Sequence, residues 1–180
     1  MQAIDIALFR LINQSWANSL FDRIMPTISN VRAFWLPIVL LMVLVAALGG
    51  RKGRVLVLTC IAAVAVTDLF SSHLVRDFFG RERPCWCVEG VRLLVSCKKS
   101  LAFPSSHASN IGACAVLVSL YYPKWRIPAA LVAFLVGYSR IYLGVHYPFD
   151  VLGGWMLGSS LAAVLYSLSL HVLEPRSNRG

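Results

Sequence analysis

Residues 33–48, closed by Gly49-Gly50, contain no charged side chain, and four further apolar runs follow at about 55–79, 106–122, 127–143 and 149–172. In hydrocarbon the backbone must satisfy its own hydrogen bonds, which a helix does within one segment. Five such runs predict an all-α, polytopic membrane helix bundle of about five transmembrane helices. The first is short for a span unless it borrows residues from the interface. A chain of 180 residues that is 58% hydrophobic and 14% charged is too apolar for a soluble fold and fits one membrane domain over 1–180. The net charge of +9 lies in loops and at helix ends, so it reads as membrane-flank charge facing anionic lipid, and no nucleic-acid partner is expected.

Residues 1–30 are not a span, because Asp5, Arg10, Asn13, Gln14 and Asn18 interrupt them. Ile4, Leu8, Leu11, Ile12 and Trp16 fall on one side at helical spacing, which predicts an amphipathic helix lying in the interface and ended by Pro26. The segment lacks the basic start, unbroken apolar core and cleavage site of a secretory signal. The transmembrane core then covers 33–172, with a polar loop at 80–103 and a frayed polar tail at 174–180. Residues 49–54, GGRKGR, read as a tight basic turn. Asp68, Ser72 and Arg76 recur every fourth position, which turns them together into the bundle; for Asp68 and His73 a structural polar contact competes with any role in chemistry. Gly154 and Gly158 are spaced for close helix packing, with dimerisation the less favoured use.

By alternation, the 80–103 loop and the 144–148 turn share one side of the membrane. GGRKGR, PKWR at 123–126 and the tail share the other. The compact basic turns mark the second side as cytoplasmic, although the first carries more Lys and Arg; several of those arginines look like site residues. Cys85, Cys87 and Cys97 all lie in the outer loop, where Cys97 is expected to bridge to Cys85 or Cys87, while the pattern suits zinc poorly. Cys60 and Cys114 sit inside spans as packing residues.

This alternation brings three polar constellations to one rim. They are Arg76 with Arg83-Pro84, then Pro104-Ser105-Ser106-His107, then Ser139-Arg140 with His146 and Asp150. Taken alone, the stretch 138–150 is as well explained by a bland interfacial loop. Together the three offer an anion three guanidiniums, two imidazoles and a helix N-terminus. His146 and Asp150 are one helical turn apart, close enough for the carboxylate to hold the imidazole tautomer.

In these motifs the chain resembles the type 2 phosphatidic acid phosphatase superfamily, whose signature is K-x6-R-P, P-S-G-H and S-R-x5-H-x3-D. The matching pieces are Arg76-x6-Arg83-Pro84, Pro104-Ser105-Ser106-His107 and Ser139-Arg140-x5-His146-x3-Asp150, in order, over about 70–155. Two positions depart: Arg76 replaces the signature lysine, allowing bidentate phosphate contact, and Ser106 replaces the glycine, narrowing the space for a headgroup. The resemblance implies metal-independent hydrolysis of a lipid phosphate or pyrophosphate, with no cofactor and no metal site. His146 would attack phosphorus to give a phosphohistidine, Asp150 would fix its tautomer, and His107 would protonate the leaving oxygen. Arg76, Arg83, Arg140, Ser105 and the Ser106 N–H would hold the equatorial oxygens.

The resemblance also implies a lipid substrate in a bacterial inner membrane, with the site on the periplasmic face. Undecaprenyl pyrophosphate is favoured; Arg92, Lys98 and Lys99 would suit a multiply charged headgroup or a pyrophosphate, and would equally suit a loop that faces anionic lipid. Phosphatidylglycerophosphate, phosphatidic acid, the lipid A 1-phosphate and phosphotransfer to a second lipid stay open, as does the oligomeric state. Vanadate-dependent haloperoxidases share the signature but are soluble, which five apolar runs argue against. A binding or transport protein without turnover is the remaining alternative.

Overall fold

The computed structural model describes residues 2–173, leaving aside the side chains at 72–74. The tail and the side chains of Ser72 and His73, singled out above, lie outside the described residues. All regular structure among the described residues is helical. Helix α1 (Gln2–Arg10) passes through a π turn, Leu11–Ser15, and α2 spans Ser19–Ser29. The five long helices are α3 (Trp35–Leu48), α4 (Gly50–Leu69), α7 (Ser106–Tyr121), α8 (Arg126–Tyr142) and α9 (Pro148–Leu173). Helix α4 continues through a π turn, Phe70–Val75, into α5 (Arg76–Phe79), and a single turn, α6 (Pro84–Cys87), punctuates the outer loop. The five apolar runs are thus five helices, with ends within a few residues of those expected.

Helix α7 is the hub, packing against α4, α8 and α9. Its closest partner is α9, and glycine makes the approach possible. A Cβ at Gly158 would stand 2.0 Å from the Ser109 carbonyl oxygen, and one at Gly154 would stand 2.6 Å from that of Ser105. Packing within the chain therefore accounts for this small-residue pair. One core, built from Leu56, Ala63, Leu117, Tyr121 and Ala162, fills the bundle away from the site. Helix α3 buries no residue and rests on α4, with Leu41 and Leu44 among its outward side chains. A surface so continuously apolar is stable against hydrocarbon and not against water.

Three local expectations are corrected. The N-terminal segment is two helices, and Pro26 lies inside α2. The break comes earlier: Asn18 caps α2 by accepting from the Phe21 N–H at 2.9 Å. The buried Asn13 amide donates to the carbonyls of Arg92 and Tyr142 at 2.8 and 2.7 Å. The apolar stripe (Ile4, Leu8, Leu11, Trp16) faces outward, while Asp5, Phe9 and Asn13 turn inward at a spacing of four.

The GGRKGR segment is a turn only at its start. Gly50, at φ 57°, makes the turn, and the basic residues form the first turns of α4. Finally, Asp68 is exposed and accepts from Asn110 Nδ2 at 3.0 Å, which makes it an interhelix contact. The π turn after it widens the helix, so a spacing of four no longer stacks Asp68 over Arg76.

Candidate active site

The three constellations meet at one end of the bundle. The turn between α8 and α9 carries His146, the loop after α5 carries Arg83, and the start of α7 carries Ser105, Ser106 and His107. Backbone contacts fix their relation. The Ser105 N–H donates to the Asp150 carbonyl at 3.0 Å, and the Ala102 N–H donates to the Arg81 carbonyl at 2.6 Å. Ser105 occupies the N-cap of α7, yet its hydroxyl caps nothing and is buried without a protein partner. The first amides of α7 are thereby left to a ligand or to solvent.

His146 is 2% exposed. Its Nε2 lies 3.0 Å from an Nη of Arg83, which also donates to the Val145 carbonyl at 3.0 Å. Guanidinium only donates, so Nε2 is the acceptor and the proton of the neutral ring sits on Nδ1. Nδ1 faces Asp150, 3.5 Å from Oδ2, longer than a direct hydrogen bond. Burial, reinforced by the charges of Arg83, Arg140 and Arg76, holds the imidazole well below its ordinary pKa of about 6.5. Burial and the charge of Arg76 also bring Arg83 down to about 10, so it stays a cation at neutral pH.

Arg83 spends its other donors on the outer loop: Nε on the Ser100 carbonyl at 2.6 Å, and the second Nη on Ser100 Oγ at 3.1 Å and the Leu101 carbonyl at 3.3 Å. Arg140 is buried, donates to Ser29 Oγ, and keeps Nε unpartnered. Arg76 donates to Ser106 Oγ at 2.7 Å, and its Nε is likewise buried and unpartnered. His107, half-buried in the first turn of α7, shares its electrostatic surroundings with Arg140, His146, Lys98 and Arg83. All eight site residues expected from the sequence therefore gather at one end.

Sequence reasoning missed Arg81 and Asp5. Arg81 donates to Asp150 Oδ1 at 2.8 Å and pairs with the fully buried Asp5. The available signal was Asp5 itself, an acidic side chain in a segment expected to lie against a membrane. Arg92, expected to meet a charged headgroup or anionic lipid, instead pairs with Asp22 at 2.7 Å and donates to the Asn13 carbonyl, clasping the outer loop to α2 and to the π turn after α1. Lys98 and Lys99 are exposed. The loop is closed by a Cys85–Cys97 disulfide, leaving Cys87 free and exposed.

Residues 53–172 match the PAP2 superfamily model. An undecaprenyl-diphosphatase of Sulfolobus acidocaldarius is 32% identical over 86% of this chain and 73% of its own length. Phosphatidylglycerophosphatase B of Bacillus subtilis is 31% identical over 88% of this chain and 79% of its own. Among solved structures, LpxE of Aquifex aeolicus superposes with a TM-score of 0.73 at 25% identity, covering 91% of this chain and 95% of that one. The chain belongs to the PAP2 superfamily and is a membrane-embedded lipid phosphatase.

Proposed function

We propose that this protein removes a phosphate or pyrophosphate group from a membrane lipid through a phosphohistidine on His146, without a metal ion. One observation carries the reading. Among the described residues five buried side-chain polar atoms lack a partner; His146 Nδ1 faces Asp150, and three others are Arg76 Nε, Arg140 Nε and Ser105 Oγ. Each such orphan costs about 1–3 kcal/mol, so a fold that gathers these three at one end is arranged for an anionic ligand. Three arginines there supply the positive charge that a phosphoryl transition state needs.

In the first step the Nε2 lone pair of His146 attacks phosphorus in line, the P–N bond forms and the bond to the lipid-side oxygen breaks. His107 gives that oxygen its proton. The incoming phosphate draws the Arg83 Nη away from Nε2, so binding and unmasking of the nucleophile are one event. Asp150 faces the Nδ1 proton and stabilises the imidazolium character that develops. In the second step water attacks phosphorus, yields its proton to His107, and the P–N bond breaks to release phosphate.

The substrate we favour is undecaprenyl pyrophosphate, with undecaprenyl phosphate as leaving group. Supporting it are the relative of that name and Lys98, which extends the positive field toward a second phosphate. The disulfide in the same loop as Arg83 supports a site on the outer, oxidising face of a bacterial inner membrane. The test is phosphate release by purified protein in EDTA from undecaprenyl pyrophosphate, phosphatidylglycerophosphate, phosphatidic acid and lipid A, beside His146→Ala. The expected result is release from the pyrophosphate above the others, absent in the variant. Turnover by His146→Ala, or a strict need for a divalent cation, would overturn the mechanism.

A further inference from the structure

Asp5 and Asp150 approach each other from α1 and α9, and both carboxylates are fully buried. Two isolated buried carboxylates are mutually repelled and poorly solvated. The guanidinium of Arg81 lies between them, donating to Asp150 Oδ1 at 2.8 Å through one Nη and pairing with Asp5 Oδ2 through the other. The Tyr147 ring packs 4.1 Å from the guanidinium carbon and holds its plane.

Asp5 has a second task. Its Oδ1 accepts the Phe149 N–H at 2.9 Å, so α1 supplies a cap for the first turn of α9, the helix that carries Asp150. Asp150 Oδ2 accepts the Tyr147 N–H at 2.8 Å and faces His146 Nδ1. Every hydrogen bond that fixes the Asp150 carboxylate comes from Arg81 or from the turn that Asp5 caps.

We propose that Asp5 and Arg81 are positioning residues, a relay from the N-terminal helix that sets the carboxylate of Asp150 against the His146 imidazole. The proposal rests on the phosphohistidine reading, because its output is the orientation of the attacking ring. Neither residue need meet substrate, so their loss acts on the chemical step. A displacement of about 1 Å at a reacting group costs up to two orders of magnitude in rate.

The experiment compares Asp5→Asn, Arg81→Gln, Arg81→Lys and the Asp5→Asn/Arg81→Gln double variant of the full chain, purified in detergent. It measures kcat, KM, acid-labile phosphoenzyme formed in a rapid quench, and the thermal midpoint. Asp5→Asn and Arg81→Gln are expected to lower kcat and phosphoenzyme formation on the order of 10–100-fold, with KM moved less than about threefold. Arg81→Lys should recover part of the loss, and the double variant should be no slower than Arg81→Gln. Wild-type kcat in Asp5→Asn, a change in KM alone, or multiplying losses in the double variant would each overturn the relay. A loss that follows only the fraction of folded protein would do the same. Should Arg81→Gln not fold, Asp5→Asn decides, since it keeps the Phe149 acceptor while removing the charge and the oxygen that Arg81 meets. His146→Ala runs alongside: turnover there refutes the nucleophile, whereas its inactivity beside unimpaired Asp5→Asn refutes the relay alone.

Discussion

Arg76 donates to Ser106 Oγ at 2.7 Å, so the two positions at which this chain departs from the family signature are in contact with each other. Ser71 Oγ lies 3.3 Å from the same hydroxyl. The serine hydroxyl anchors the longer guanidinium in place of open space, and it leaves the Arg76 Nε buried and aimed at no protein group.

Coupling between these two positions is the first prediction. Arg76→Lys and Ser106→Gly should each lower kcat/KM, and the double variant should be better than the product of the two. Residues in contact show interaction energies of about 0.5–3 kcal/mol. Losses that simply add, within measurement error, would mean that the contact has no bearing on turnover.

The second prediction concerns pH. In the proposed mechanism His146 attacks as the neutral ring, and its folded pKa lies below the ordinary value of about 6.5. The nucleophile is therefore in its attacking form at pH 6.5 and loses it only as pH falls through the lower, folded value. The acid limb of kcat/KM should sit below 6.5, and a limb above it would contradict the buried ring. The sign for stability is consistent with this. Below 6.5 the unfolded imidazole takes up a proton that the folded one refuses, so acid destabilises the fold through this residue.

A third expectation tests the α7–α9 contact. Gly158→Ala places a methyl 2.0 Å from the Ser109 carbonyl oxygen, on backbone that has nowhere to move. Overpacking of this kind costs about 1–3 kcal/mol. The thermal midpoint in detergent should fall, and because α9 carries Asp150, phosphate release should fall with it. An unchanged midpoint would show that the two helices separate more readily than their packing suggests.

Thiol labelling supplies the fourth. In intact spheroplasts a membrane-impermeant maleimide should modify Cys87 without reductant, and Cys85 and Cys97 only after reduction. Protection of Cys87 until the membrane is opened would place the loop, and the site with it, on the cytoplasmic side. Cys85→Ser removes a bridge spanning 12 positions and should lower stability by roughly 2–3 kcal/mol.

The bundle was legible because hydropathy reports where helices run, and the three motifs marked residues that the fold gathers at one end. What remained hidden depended on partners distant in sequence. The stripe of Ile4, Leu8 and Leu11 identified an amphipathic helix, but periodicity is silent on which face meets protein. Here the inward face is the one bearing Asp5, Phe9 and Asn13. Pro26 read as a stop because proline usually is one, whereas Asn18 had already restarted the helix. Arg92 looked like a headgroup contact since an arginine in a loop carries no sign of its partner; Asp22 lies 70 positions away. The choice of Cys85 over Cys87 likewise depends on how α6 turns, which spacing alone leaves open.

The Asp5 contact to the Phe149 amide joins groups 144 positions apart. Translation reaches Phe149 only after α3, α4, α7 and α8 have been made, so this contact cannot form before the start of α9 exists. The Asp5–Arg81–Asp150 cluster is therefore a late-closing one, joining the first helix of the fold to its last.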